Sequence, residues 1–95
     1  MPRFIALHPM AFTEEQLIPL AKERPPEGVT WHDTFCAVAE NKSYCHWEAP
    51  SQEHLVEIFK KYAVPYEAIH AVRRFDPAAG VMEPEPAEMK VPQPV

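Results

Sequence analysis

Imidazole and carboxylate side chains carry most of the chemistry open to this sequence. Histidines stand at positions 8, 32, 46, 54 and 70. His46 and Glu48 are two residues apart, so on an extended strand they point the same way, with backbones about 7 Å apart. Imidazole beside carboxylate suits borderline divalent ions such as nickel, zinc or copper. No HExxH or similar compact motif accompanies them, so an ion would have to draw its ligands from several chain elements. Asp33 and Glu48 offer a second chemistry, acid/base work, if burial raised one of the two pKa values. Neither a visible nucleophile nor a Gly-rich phosphate loop supports that use. Cys36 and Cys45 are too few for a disulfide scaffold and form no CxxC. They read as small buried hydrophobes rather than a redox couple.

The elements that must position these groups follow from periodicity and punctuation. Arg3 to His8 reads as a strand, ended by Pro9. Thr13, with Gln16 three residues on, is a capping box that opens a helix reaching to about Arg24. Leu17, Leu20 and Ala21 are its apolar stripe, and Pro19 inside it predicts a kink or local opening. Residues 25–28, Pro-Pro-Glu-Gly, stop it. Residues 29–39 are rich in β-branched and aromatic types and form a second strand. Turn chemistry at 40–42 joins it to a third strand over 43–49, giving a hairpin. Ser51 is the N-cap of a second helix, whose Leu55, Ile58, Phe59 and Tyr62 make a core-facing stripe. Pro65 closes that unit, and residues 66–76 read as a fourth strand.

The order β-α-β-β-α-β is the split βαβ, or ferredoxin-like, pattern. It predicts an α+β fold: a four-stranded antiparallel sheet, spatial order 4-1-3-2, with both helices on one face and the other face open. Alternation then sorts the side chains. Ile5/Leu7, Cys36/Val38, Cys45/Trp47 and Ile69/Ala71/Phe75 are assigned to the helix side. The open face receives Phe4, His8, Trp31, Asp33, Phe35, Tyr44, His46, Glu48, His70, Val72 and Arg74. That set is too aromatic to be simply wet and too ionisable to be simply core. It suits a face that meets a second copy and keeps a polar pocket inside, a dimeric α+β barrel. Three strands bring His8, His46 and His70 to this face, so His46, His70, His8 and Glu48 are the expected metal ligands. His32 is expected to face the helices, and His54, near the start of the second helix, to be structural.

Several segments resemble one family of small bacterial domains. They are residues 1–4, Met-Pro-Arg-Phe; 13–17, Thr-Glu-Glu-Gln-Leu; 29–31, Val-Thr-Trp; 44–51, Tyr-Cys-His-Trp-Glu-Ala-Pro-Ser; and 69–77, Ile-His-Ala-Val-Arg-Arg-Phe-Asp-Pro. The family is a former domain of unknown function described as nickel-binding-protein-like. The resemblance covers about residues 1–77. It implies a ferredoxin-like fold, a dimer and nickel binding.

Composition bounds the rest. Ninety-five residues make one domain, and the net charge of -5 disfavours nucleic acid and anionic membranes. The chain has no apolar run near the length of a membrane span and no signal-peptide core, so the cytoplasm is the default location. The folded domain is placed at residues 1–76. Residues 77–95 carry five of the twelve prolines and read as an extended or disordered tail, in which Val81, Met82, Met89 and Val91 could strap onto a neighbouring subunit. The expectation is a small homodimer that binds a divalent transition metal, nickel or zinc, on the open sheet face. Two rivals are a barrel that binds or transforms a small aromatic or apolar molecule, and a non-catalytic interaction module.

Overall fold

The computed structural model describes residues 2–84. Its elements run β1 (Arg3–His8), α1 (Glu14–Ala21), β2 (Thr30–Ala37), β3 (Lys42–Glu48), α2 (Gln52–Lys61), β4 (Ala68–Val72), β5 (Phe75–Asp76) and β6 (Val81–Met82). The first four strands build an antiparallel sheet in the order β2-β3-β1-β4. This is the α+β ferredoxin-like arrangement that the element order predicts.

Register decides which side chains meet the helices. Phe4 stands opposite Trp47 and Ala71, Ala6 opposite Cys45 and Ile69, and His8 opposite Ser43. Phe4, Ala6, Cys45, Trp47 and Ile69 form the core with Val29, Ala49, Leu55 and Phe59. The core face of β1 is therefore Phe4/Ala6/His8, and Ile5/Leu7 lie on the open face, the reverse of the expectation. Both sets are apolar, so alternation separates them without saying which points inward. Arg3 shares the face of Ile5 and Leu7, and its charge keeps that face toward water.

A β-bulge between Trp31 and Asp33 makes a second difference. Trp31 pairs with Trp47, yet Asp33 pairs with His46, so β2 carries one extra residue there. Trp31 thereby stacks on Trp47, ring centroids 5.5 Å apart, on the helix side. His32 turns out to the open face. Unbroken alternation predicts the opposite for both. On the far side of the bulge the four-residue loop keeps Thr34 and Cys36 with Cys45, and Asp33 and Phe35 with His46, as expected.

The helices differ in how firmly they are held. α1 has its capping box, with Thr13 Oγ1 accepting from the Gln16 N–H and Gln16 Oε1 from the Thr13 N–H. It ends at Ala21, short of the expected Arg24, and buries none of its residues. α2 buries Leu55 and Phe59. Its C-terminus closes with the Val64 N–H on Phe59 O and the Ala63 N–H on Lys60 O, a Schellman pattern. Ala63 holds the left-handed position, φ 53°, where glycine is the usual residue.

The fourth strand ends at Val72, and Phe75 is exposed rather than packed under the helices. Phe75 and Asp76 pair instead with Met82 and Val81. The beginning of the expected tail is thus a small hairpin, and the boundary placed after residue 76 runs through it. Met89 and Val91 lie outside the described residues.

Candidate functional site

The open face carries a compact polar cluster near the β2–β3 end of the sheet. The bulge puts two adjacent polar residues, His32 and Asp33, next to the outward pair His46 and Glu48 of β3. The rings of His32 and His46 stack with centroids 4.6 Å apart. Each imidazole has a carboxylate: His32 Nε2 is 2.7 Å from Glu48 Oε1, and His46 Nδ1 is 3.2 Å from Asp33 Oδ1.

Arg3 supplies the opposing charge. Its Nη1 donates to His46 Nε2, and its Nη2 lies 3.6 Å from Glu48 Oε1. A guanidinium has no acceptor, so Nε2 of His46 is the lone-pair nitrogen and Nδ1 carries the proton given to Asp33. Glu83, two residues after β5–β6 begins its return strand, grips the same guanidinium through both oxygens, at 2.9 and 2.6 Å. It also accepts from the Arg74 N–H. The hydrogen bond to Arg3, then that from Arg74, holds the Glu83 carboxyl down to about 2, and the same contact raises the Arg3 pKa.

The expected ligands separate. His46 and Glu48 lie together as predicted. His70 is on the open face, but Ile5 stands between it and His46 in register, two strand spacings or about 10 Å across the sheet. His8 is not on this face: it is fully buried beneath the helices, with Nδ1 donating to the Pro65 carbonyl at 2.7 Å. Burial is the main cause of its lowered pKa. Among the described residues no three His, Cys, Asp or Glu side chains converge on a point that would hold an ion.

His32 is the member that sequence reasoning placed wrongly. One signal was available. An unbroken strand exposes Trp31 and buries His32, against the burial preference of both, and a one-residue insertion resolves the conflict. Cys45 needs no correction. It is buried, accepts from Thr34 Oγ1 at 3.1 Å, and burial pushes its thiol up to about 11, so it is an inert core thiol.

The fold and this polar sheet face define a small ferredoxin-like α+β domain with an imidazole–carboxylate cluster on its uncovered side. The family described as nickel responsive protein SCO4226-like matches residues 9–72. That is most of the chain, which belongs to this family. No curated protein and no solved structure matches it. No helix among the described residues is long and apolar enough to cross a membrane.

Proposed function

We propose that this protein binds a divalent transition ion, nickel by its family, on the open sheet face, where two copies meet. The observation that carries the reading is the state of His46. Its Nδ1–H is held by Asp33, which leaves the Nε2 lone pair outward. A carboxylate on one ring nitrogen and a lone pair on the other is the usual preparation of an imidazole ligand. His32 and Glu48 lie beside it and offer the same donor types, a set that fits nickel or zinc. His70 is a further donor on the same face.

Within one chain Arg3 occupies the position a cation would take between His46 and Glu48. An ion bound there displaces the guanidinium, and a second copy supplies the donors that one chain does not bring together. The rest of the face favours such a meeting. Ile5, Leu7, Tyr44, Phe35 and Val72 give it apolar area around the polar cluster. Holding or sensing an ion in this way requires no further catalytic group.

Native mass spectrometry of the full chain, with and without Ni(II) or Zn(II), tests the reading. The expected result is a dimer that takes up whole equivalents of metal and releases them on acidification, as ligand imidazoles take up protons. His46→Ala combined with His32→Ala should abolish uptake, and His70→Ala should weaken it. A dimer that stays metal-free overturns the metal assignment. Full uptake by the double variant overturns the ligand assignment, and a monomer that binds stoichiometrically overturns the shared site.

A further inference from the structure

The opposite face of the sheet holds a second feature, independent of the metal reading. A cavity of about 740 Å³ lies between α1, the residues that follow it, α2 and the sheet. Its walls are mostly apolar, with Phe12, Leu20, Trp31, Trp47 and Phe59 among them, and His8 lines it as well. That volume is in the range of small-molecule sites, about 300–1,000 Å³. A ferredoxin-like domain ordinarily fills this space with helix side chains. Here α1 buries none of its residues, and Pro19 removes one of its internal hydrogen bonds. The cavity thus has one lightly held wall.

Two of the residues that line it carry a polar atom without a partner. His8 Nε2 and Trp47 Nε1 are buried and make no hydrogen bond among the described residues. His8 is 0% exposed and Trp47 7%. Orphaned buried polar groups are uncommon and costly, about 1–3 kcal/mol each. The indole nitrogen of Trp31, by contrast, donates to Thr34 Oγ1 at 2.8 Å. The two orphans ask for different things. The Pro65 carbonyl can only accept, so His8 Nδ1 carries the ring proton and Nε2 has a lone pair that needs a donor. Trp47 Nε1–H needs an acceptor. A hydroxyl supplies both roles. A carboxylate could not donate to His8, and an ammonium would carry an unpaired charge into walls that are mostly apolar.

We propose that this cavity is a binding site for a neutral, largely aromatic molecule bearing a hydroxyl, which donates to His8 Nε2. Both nitrogens are buried, so the ligand reaches His8 Nε2 only as the side chains around it give way. The aromatic walls stack on the ring system, and the edge contacts of His8 with Phe12 and Phe59, centroids 5.1 Å apart in each case, fix the imidazole plane.

The test compares 2-naphthol with naphthalene on the full-length protein, by isothermal titration calorimetry and by the two indole N–H signals in 1H–15N NMR spectra. Naphthalene is the more apolar of the pair, so burial alone favours it. The expected result is saturable 2-naphthol binding about tenfold tighter than naphthalene, as one buried hydrogen bond provides. The Trp47 indole signal should move more than that of Trp31. His8→Phe should bring the two affinities together. Leu20→Trp, on the helix with no buried residues, should put an indole across part of the cavity and weaken binding several-fold while the fold stays intact, which keeps the test valid if His8→Phe does not fold. No saturable binding, naphthalene binding as tightly as 2-naphthol, or undiminished binding by Leu20→Trp would overturn the proposal.

Discussion

Two histidines on neighbouring strands of one sheet, His8 of β1 and His46 of β3, meet opposite surroundings. His8 lies beneath the helices with two aromatic rings at its edges, a single backbone carbonyl as partner, and a pKa lowered chiefly by burial. His46 lies on the other face, between an arginine and an aspartate and against a second imidazole. The residue type is the same, and the face of the sheet decides its chemistry. A desolvated imidazole stays neutral and offers one fixed lone pair. One set among charged side chains on the uncovered face is instead held by an arginine and a carboxylate.

The largest expected effect tests the contrast in packing. Phe4→Ala, at a core position 5% exposed, should cost about 3–5 kcal/mol in urea unfolding. Phe35→Ala, 62% exposed on the open face, should cost under about 0.5 kcal/mol in dilute protein. If two copies cover the open face, the cost of Phe35→Ala grows with protein concentration. A Phe35→Ala penalty as large as that of Phe4→Ala at every concentration would break the distinction between the faces.

Acid should separate the faces next. The folded-state pKa of His8 lies below its ordinary 6.5, so the unfolded chain takes up this proton first. Stability is unaffected above that range and falls as pH drops through it. His8→Leu should flatten that part of the pH–stability curve, measured by urea titration at stepped pH. A variant curve as steep as the wild type would mean that His8 is not the group responsible.

Ala63→Gly sharpens the account of the helix side. Alanine at φ 53° is held in a region where its Cβ costs about 1–2 kcal/mol, offset in part by the extra unfolded-state freedom of glycine. The variant should be more stable by up to about 1 kcal/mol, seen as a rise in Tm, and a lower Tm would contradict the Schellman closure. The smallest effect belongs to Glu83→Gln on the open side. This pair is partly exposed, with side-chain exposures of 14% and 35%, so it contributes about 1 kcal/mol or less and weakens with salt. The Glu83 pKa is depressed, so the contribution is complete above its ordinary 4.5 and disappears as pH falls toward about 2. An NMR titration of the Glu83 carboxyl that shows a midpoint near 4.5 would refute the latch on Arg3.

Much of this was legible in the residues. The capping box at Thr13–Gln16, the stripe of α2 and a turn signal between β2 and β3, expected at 40–42 and found at 38–41, are local, and they yield the order of the first six elements and the neighbours of each strand. The pairing of His46 with Glu48 follows from a two-residue spacing that any strand imposes. The site was legible only in part. His32 reaches it through an inserted residue in β2, and His8 leaves it because β1 presents two apolar sets. Glu83 joins through a hairpin of two residues per strand, too short to leave a periodic trace.

The sequence by itself determined the ferredoxin-like order, the capping of α1 and the contents of the alternating sets of β1 and β3, because those depend on neighbours within a few residues. Only the tertiary structure decided which set of β1 faces inward, where β2 slips its register, and that α1 leaves room above Trp47. Each of these is settled by how volume and charge are shared among segments far apart in the chain, and no local pattern records that competition.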